Sequence, residues 1–398
     1  MNCSIIPKRK ADSRNINQMC SLIIFSFGSH CVLRGIALPA IKADFGTNYS
    51  GTALLVSLSM IGYFIVAWFS SKISSCTGQK NAMSLYSFLL AVTALGIVAS
   101  RSFYVTALMF FAAGGCYGGI ESTSTALVHR YNPASPDLAV NTIYSFYSVG
   151  SCIIAVVGGF LLLKGAGWRI SFALVALLNA IAAINSYTIE DSSANAAPSA
   201  SFSEIRELVK DPVFDIMCIA TAILSGAEAA SINWMNTFLS VSRANMNIFE
   251  SSCTTALFFA SIYVGRLVVT RILSKHQSIT VTFVFSLICA SIVMIISFIN
   301  NAPLMIVSIA FFGFSVSCLY PLLTSITSGL SELGIVYSVS FGVISLFNFL
   351  TNSMMGVIAD NLSLPSAFRF CALLYLLVAL LILSCRNRII SRSAVKNA

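Results

Sequence analysis

Five ionisable side chains sit inside runs of residues apolar enough to cross a bilayer: His30, Arg34, Glu121, Glu228 and Arg266. The stretch "GCYGGIESTSTALV" (115–128) shows the pattern, with Glu121 as its one charge and no Lys or Arg between Arg101 and Arg130. A charge at the centre of a membrane helix costs about 2.5–3.5 kcal/mol on insertion scales, so such a group faces a partner or a wet cavity. A carboxyl group there can take up and release a proton, and a neighbouring cation can tie release to movement. Glu121 and Glu228 are therefore candidate proton carriers. His30 and Arg34 stand four residues apart on one helical face and are candidates to hold a polar or anionic solute.

The elements that must position these groups are membrane spans. The chain has 398 residues, of which 57% are hydrophobic and 9% charged, where a soluble domain carries about 25% charged residues. Mean hydropathy is +0.87. A helix needs about 20 apolar residues to cross the hydrocarbon. Such runs fall at 18–40, 51–71, 82–100, 104–128, 139–163 and 169–188, then at 213–239, 251–272, 279–299, 303–327, 336–360 and 367–385. The first follows "KRK" at 8–10 and is too long for a signal-peptide core, so it reads as an uncleaved span. The 23 Lys+Arg exceed the 14 Asp+Glu, but the cations lie in tails and short loops and form no basic face for nucleic acid. The twelve Cys include no CxxC and lie mostly in or beside apolar runs, where Cys acts as a small hydrophobe. No Walker A loop, HExxH or nucleophile elbow occurs, so neither enzymatic chemistry, a metal nor a cofactor is expected.

Loop cations orient the spans. With the N-terminus inside, Lys8, Arg9, Lys10, Arg14, Lys72, Lys80, Arg130, Arg206, Lys210, Arg271, Lys275, Arg386, Arg388, Arg392 and Lys396 are cytoplasmic. Lys42, Arg101, Lys164, Arg169, Arg243 and Arg369 are outside, which places both termini inside. The long polar segment "IEDSSANAAPSASFSEIRELVKDP" divides the chain six plus six: a bundle over 1–190, a cytoplasmic linker over 191–212 and a bundle over 213–398. Within the linker, "SFSEIRELVKD" is compatible with a short amphipathic surface helix. The halves echo each other, with Lys72 ending span 2 and Arg271 ending span 8, 199 residues apart. "MFFAAGG" in span 4 is likewise similar to "AFFGFSVS" in span 10.

Parallel repeats of six spans are the build of the major facilitator superfamily, which the chain resembles. Span 5, "NTIYSFYSVGSCIIAVVGG", is similar to the signature of the fucose–galactose–glucose:proton symporter family through Asn141, Phe146 and Gly150. "GGIEST" places Glu121 at that family's acidic position, and "SGAEAASINWMNTFL" matches its pattern through Gly226, Glu228 and Trp234. "YVGRL" and "CLYPLLTS" match further patterns in spans 8 and 10. Departures are equally specific. Ser71 and Ser75 stand where the superfamily's loop between spans 2 and 3 has Gly and Asp; Gly78 and Lys80 are kept. Thr125 stands where relatives carry Asn, and Tyr144 and Tyr147 where sugar-binding relatives carry Gln and Asn.

At 1.5 Å per residue, His30 and Glu228 lie within roughly 3 Å of mid-span, with Arg34 roughly 7 Å outward and Glu121 and Arg266 roughly 7 Å inward. This sets Arg34 and His30 at the depth of Glu228, and Arg266 at that of Glu121 unless it snorkels. Trp234 and Tyr320 are the best aromatic candidates to stack on a sugar, ahead of Tyr117, Tyr144 and Tyr147. Asn141, Asn348 and Asn352 are polar at mid-span and need partners. The expectation is an all-α membrane protein of twelve transmembrane helices in two six-helix pseudo-repeats, not an enzyme. It works by alternating access as a monomer, with protons, a small polar solute and the lipid bilayer as partners. The resemblance implies proton-coupled symport of a monosaccharide-like solute across the inner membrane, while Arg34 and His30 keep organic anions open. Proton-coupled efflux of drugs or metabolites is one alternative; a sensor that binds without flux is another.

Overall fold

The computed structural model describes residues 9–190, 211–241, 246–273, 277–329 and 335–396. The surface helix expected at 201–211 and nearly all of the linker lie outside the described residues. Among the described residues, twelve segments are long and apolar enough to cross a membrane. Spans 1 to 6 are Ser13–Asp44, Tyr49–Thr77, Gln79–Ala99, Phe103–Tyr131, Pro136–Leu163 and Trp168–Tyr187. Spans 7, 8, 9, 11 and 12 are Pro212–Val241, Ile248–Leu273, Ser278–Ile296, Ile335–Asn361 and Leu364–Lys396. Most helices run a few residues past their apolar runs, because a helix continues its hydrogen-bond ladder after leaving the hydrocarbon.

Span 10 is two helices, Ala302–Val316 and Leu319–Gly329. Pro321 has no N–H to give the Ser317 carbonyl and its ring crowds that oxygen, so the break falls at Ser317 and Cys318. Pro321 then sits in the first turn of the second helix, where a missing N–H costs nothing. Gly78 is the single residue between spans 2 and 3, and its φ of +85° is open to glycine at little cost.

Span 3 shows how sequence becomes a lipid-facing helix. Met83, Tyr86, Leu90, Ala94 and Ile97 are buried, while Leu85, Phe88, Leu89, Val92 and Leu95 are exposed. Both faces are apolar, as they must be where the solvent is lipid rather than water.

The contacts group Met1–Ala37 with Leu58–Ser199 as unit 1, and Leu38–Ser57 with Ala200–Ala398 as unit 2. In unit 1 the residues entering span 1 and those leaving span 6 lie side by side, as Arg9–Lys10 pairs in parallel with Ile189–Glu190. The Arg169 guanidinium donates to the Ser100 carbonyl from Nε at 3.3 Å and Nη2 at 3.1 Å, capping the end of span 3. In unit 2, Arg369 lies 5.3 Å from the Phe298 ring just past the end of span 9. The two arginines are 200 residues apart, so the internal repeat extends to a cation that ties the start of the sixth helix of each set to the end of the third.

Candidate functional site

Unit 1 gathers a polar centre from spans 1, 2, 4 and 5. The glycines of "GGCYGG" make it possible. A Cβ on Gly118 would come within 2.5 Å of the Tyr63 carbonyl, and one on Gly119 within 2.6 Å of the Tyr86 ring. Only hydrogen at these positions lets span 4 lie this close to spans 2 and 3. One turn on from Gly118, Glu121 then meets span 2, and the Tyr63 hydroxyl donates to its Oε2 at 3.0 Å. The backbone carbonyl of Glu121 accepts from Thr125 Oγ1 at 3.0 Å and from the Tyr144 hydroxyl at 3.2 Å. Thr125 and Tyr144 also bond each other at 3.2 Å. The carboxyl-bearing turn is thus clamped, while the half-buried carboxylate meets a phenol.

On span 1, His30 is 1% exposed, and its Nδ1 bonds the Tyr117 hydroxyl at 2.5 Å. Its Nε2 has no partner among the described residues. Arg34 is 4% exposed, donates to Ser59 Oγ at 2.6 Å and lies 5.7 Å from the Tyr117 ring centroid. Phe27 packs against both Tyr117 and Tyr147, with centroids 5.3 Å apart in each case. Cys31 stands near both Arg34 and Glu121.

Unit 2 has its own centre. Arg266 of span 8 acts on the half-buried Glu228 of span 7 as an opposite charge. The depth reading puts Arg266 at the level of Glu121. In the fold, the Gly265–Arg266 turn of span 8 lies on span 10, where a Cβ on Gly265 would come within 2.7 Å of the Phe314 carbonyl. Cys289, Cys318 and Tyr375, from spans 9, 10 and 12, stand near Glu228. Toward span 11 an amide ladder runs: Asn348 donates to Ser225 Oγ at 3.4 Å, Asn233 to Asn352 Oδ1 at 3.2 Å, and Asn352 to the Asn348 carbonyl at 2.8 Å. Gly226 permits this approach, since a Cβ there would meet Thr351 Oγ1 at 2.6 Å. The Oδ1 of Asn348 and the indole N–H of Trp234 have no partner among the described residues.

Of the residues singled out in the sequence, His30, Arg34, Tyr117, Glu121, Tyr144 and Tyr147 come together in unit 1. Glu228 and Asn348 lie in the unit 2 centre. Trp234 is 0% exposed and packs 6.1 Å from the Tyr49 ring. Asn141 is exposed on span 5, and Tyr320 is half-buried in the second helix of span 10. Ser59 and Tyr63 were not legible as site residues. Their i, i+4 spacing on span 2 marks one polar face, but nothing in a single sequence tells that this face meets span 4. Ser225 and Asn233 escaped notice for the same reason.

Twelve apolar spans, two bundled units and buried charges on facing helices define a polytopic membrane protein with polar centres built inside it. Residues 19–350 match the Major Facilitator Superfamily, and the chain belongs to that family of transporters. It is similar in fold to the D-xylose–proton symporter, at 13% identity with a TM-score of 0.79, over 94% of this chain and 97% of that one. A single-residue variant of the fucose:proton symporter of E. coli is 18% identical with a TM-score of 0.65, over 92% and 97% of the two chains. In sequence, the 4-hydroxybenzoate transporter of Acinetobacter baylyi is 26% identical over 160 residues, 39% of this chain. That match spans about a third, 34%, of the relative's length.

Proposed function

We propose that the protein is a proton-coupled symporter that carries a small polar solute of the monosaccharide class across the inner membrane. It acts as a monomer by alternating access between its N-terminal and C-terminal six-helix bundles, with both termini cytoplasmic. The observation that carries this reading is the contrast between the two half-buried acids, Glu121 and Glu228. Glu121 meets the hydroxyl of Tyr63, so it can gain or lose a proton without breaking an ion pair. Glu228 faces the charge of Arg266, and neutralising it would forfeit that attraction. Glu121 is therefore the proton-coupling acid, and Glu228 holds unit 2 together. Asn348 and Trp234 keep an acceptor and a donor in reserve beside the amide ladder, the chemistry that recognises sugar hydroxyls. The fold shared with symporters of D-xylose and fucose supports the same class.

A second reading, an aromatic carboxylate as solute, is favoured by the neighbourhood of His30, Arg34 and Tyr117. Arg binds carboxylates well, and the ring of Tyr117 lies beside it. The partial likeness to a 4-hydroxybenzoate transporter points the same way.

Purified protein in sealed vesicles separates the two. With an inward proton gradient, radiolabelled D-xylose or L-fucose accumulates and is released by a protonophore, while 4-hydroxybenzoate is excluded. Accumulation of 4-hydroxybenzoate without the sugars would install the second reading. Indifference of all three to the gradient would end both.

A further inference from the structure

Spans 1 and 2 are continuous helices, yet the tip they form belongs to unit 2 while their stems belong to unit 1. The fastening is local and polar. Asp360, in the last turn of span 11, accepts from the backbone N–H of Tyr49 at 2.9 Å and of Ser50 at 2.8 Å. Its Oδ2 also accepts the Ser50 hydroxyl at 2.5 Å. These are the first amides of span 2, which have no partner within their own helix and sit at the positive end of its dipole. The next donor, Gly51 N–H, is taken by Asn48 Oδ1 at 2.8 Å. A carboxylate from span 11 therefore closes the end of another helix with both oxygens.

The contact continues down one stripe of span 11. A Cβ on Gly356 would lie 2.5 Å from Ala53 Cβ and 2.9 Å from the Tyr49 carbonyl, so the helices touch there. Ser353 donates to Ser57 Oγ at 2.9 Å, and Ser57 to the Phe349 carbonyl at 3.3 Å. At the end of span 1, the Lys42 ammonium lies 4.4 Å from the Tyr49 ring and its charge reaches Asp360. Asp360 is exposed, so water can replace each bond it gives up. A contact made of a few charge-assisted bonds within reach of water is suited to opening and closing. A stem-wide apolar seam is not.

We propose that Asp360 is a releasable latch, which holds the tip between spans 1 and 2 on span 11 and whose opening frees residues 38–57 from unit 2. The latch lies on the membrane face opposite the N-terminus, at the far end of span 1. It is independent of which solute or ion the protein carries.

Hydrogen–deuterium exchange of the full-length chain in detergent, read by mass spectrometry over residues 49–57, tests this without a ligand. Asp360→Asn, which keeps the shape and removes the charge, is expected to speed exchange there at least tenfold and leave span 6 unchanged. Ser50→Ala, which removes one exposed bond, is expected to speed it about threefold. In the double variant Ser50→Cys/Asp360→Cys, oxidation to a disulfide should slow exchange at least tenfold relative to the wild-type chain, because the wild-type tip opens. Wild-type exchange rates in Asp360→Asn would overturn the latch. Equal rates in the oxidised double variant and the wild-type chain would show a permanent cap and overturn its release.

Discussion

Acids within membrane spans can serve two ends, and the partner decides which. Arg266 stands as an opposite charge near Glu228 inside unit 2, so removing the cation alone takes away the attraction that favours the carboxylate. Arg266→Met is expected to lower Tm in detergent, because it takes an opposite charge away from Glu228. Glu228→Gln/Arg266→Met should regain most of that loss, because it removes both charges together. Thermal unfolding of the two variants and the parent checks this, and a double variant no better than Arg266→Met would refute the pairing. At this scale the sequence was half legible. Charges in apolar runs announced themselves, as did Tyr117, Tyr144 and Tyr147. Their partners Ser59, Tyr63, Ser225 and Asn233 are ordinary residues until helix packing selects one face of each span.

At the scale of elements, glycine decides how near two helices come, and distance decides which side chains meet. Gly118→Ala would push a methyl group into the Tyr63 carbonyl, an overpacking cost of about 1–3 kcal/mol. It is expected to loosen span 4 from span 2 and to weaken proton coupling through Glu121. Gly158→Ala makes a fair control, since its Cβ would meet the flexible end of Leu33 at 3.1 Å and Ser171 Oγ at 4.0 Å, with no backbone atom nearby. Unfolding in detergent should show a large loss for the first and a small one for the second. The span positions themselves were legible, because lipid imposes one requirement on every helix: some 20 apolar residues in a row. The break in span 10 was announced by Pro321 but read through as one span. The Ser75 hydroxyl, where superfamily relatives carry Asp, gives its bond to the Lys72 carbonyl on its own helix. No carboxylate stands at that position to fasten a neighbour, whereas Asp360 fastens span 2 near the opposite face.

At the scale of the whole molecule, twelve spans and two repeats follow from the pattern of apolar runs and from cations about 200 residues apart. That the tip of spans 1 and 2 groups with unit 2 could not be read from the pattern, since it depends on a fold-wide contact between residues some 310 apart in sequence. The proposed topology, drawn from the loop cations, has both termini cytoplasmic. Fusing alkaline phosphatase, active only outside, to either end should give inactive reporters, and fusing it after Lys42 an active one. The central claim concerns Glu121, and one measurement meets it directly. In sealed vesicles, Glu121→Gln should still exchange labelled D-xylose across the membrane at equilibrium. It should no longer accumulate it under an inward proton gradient, and its uptake should be flat with pH. Gradient-driven accumulation at the wild-type level in Glu121→Gln would contradict the account.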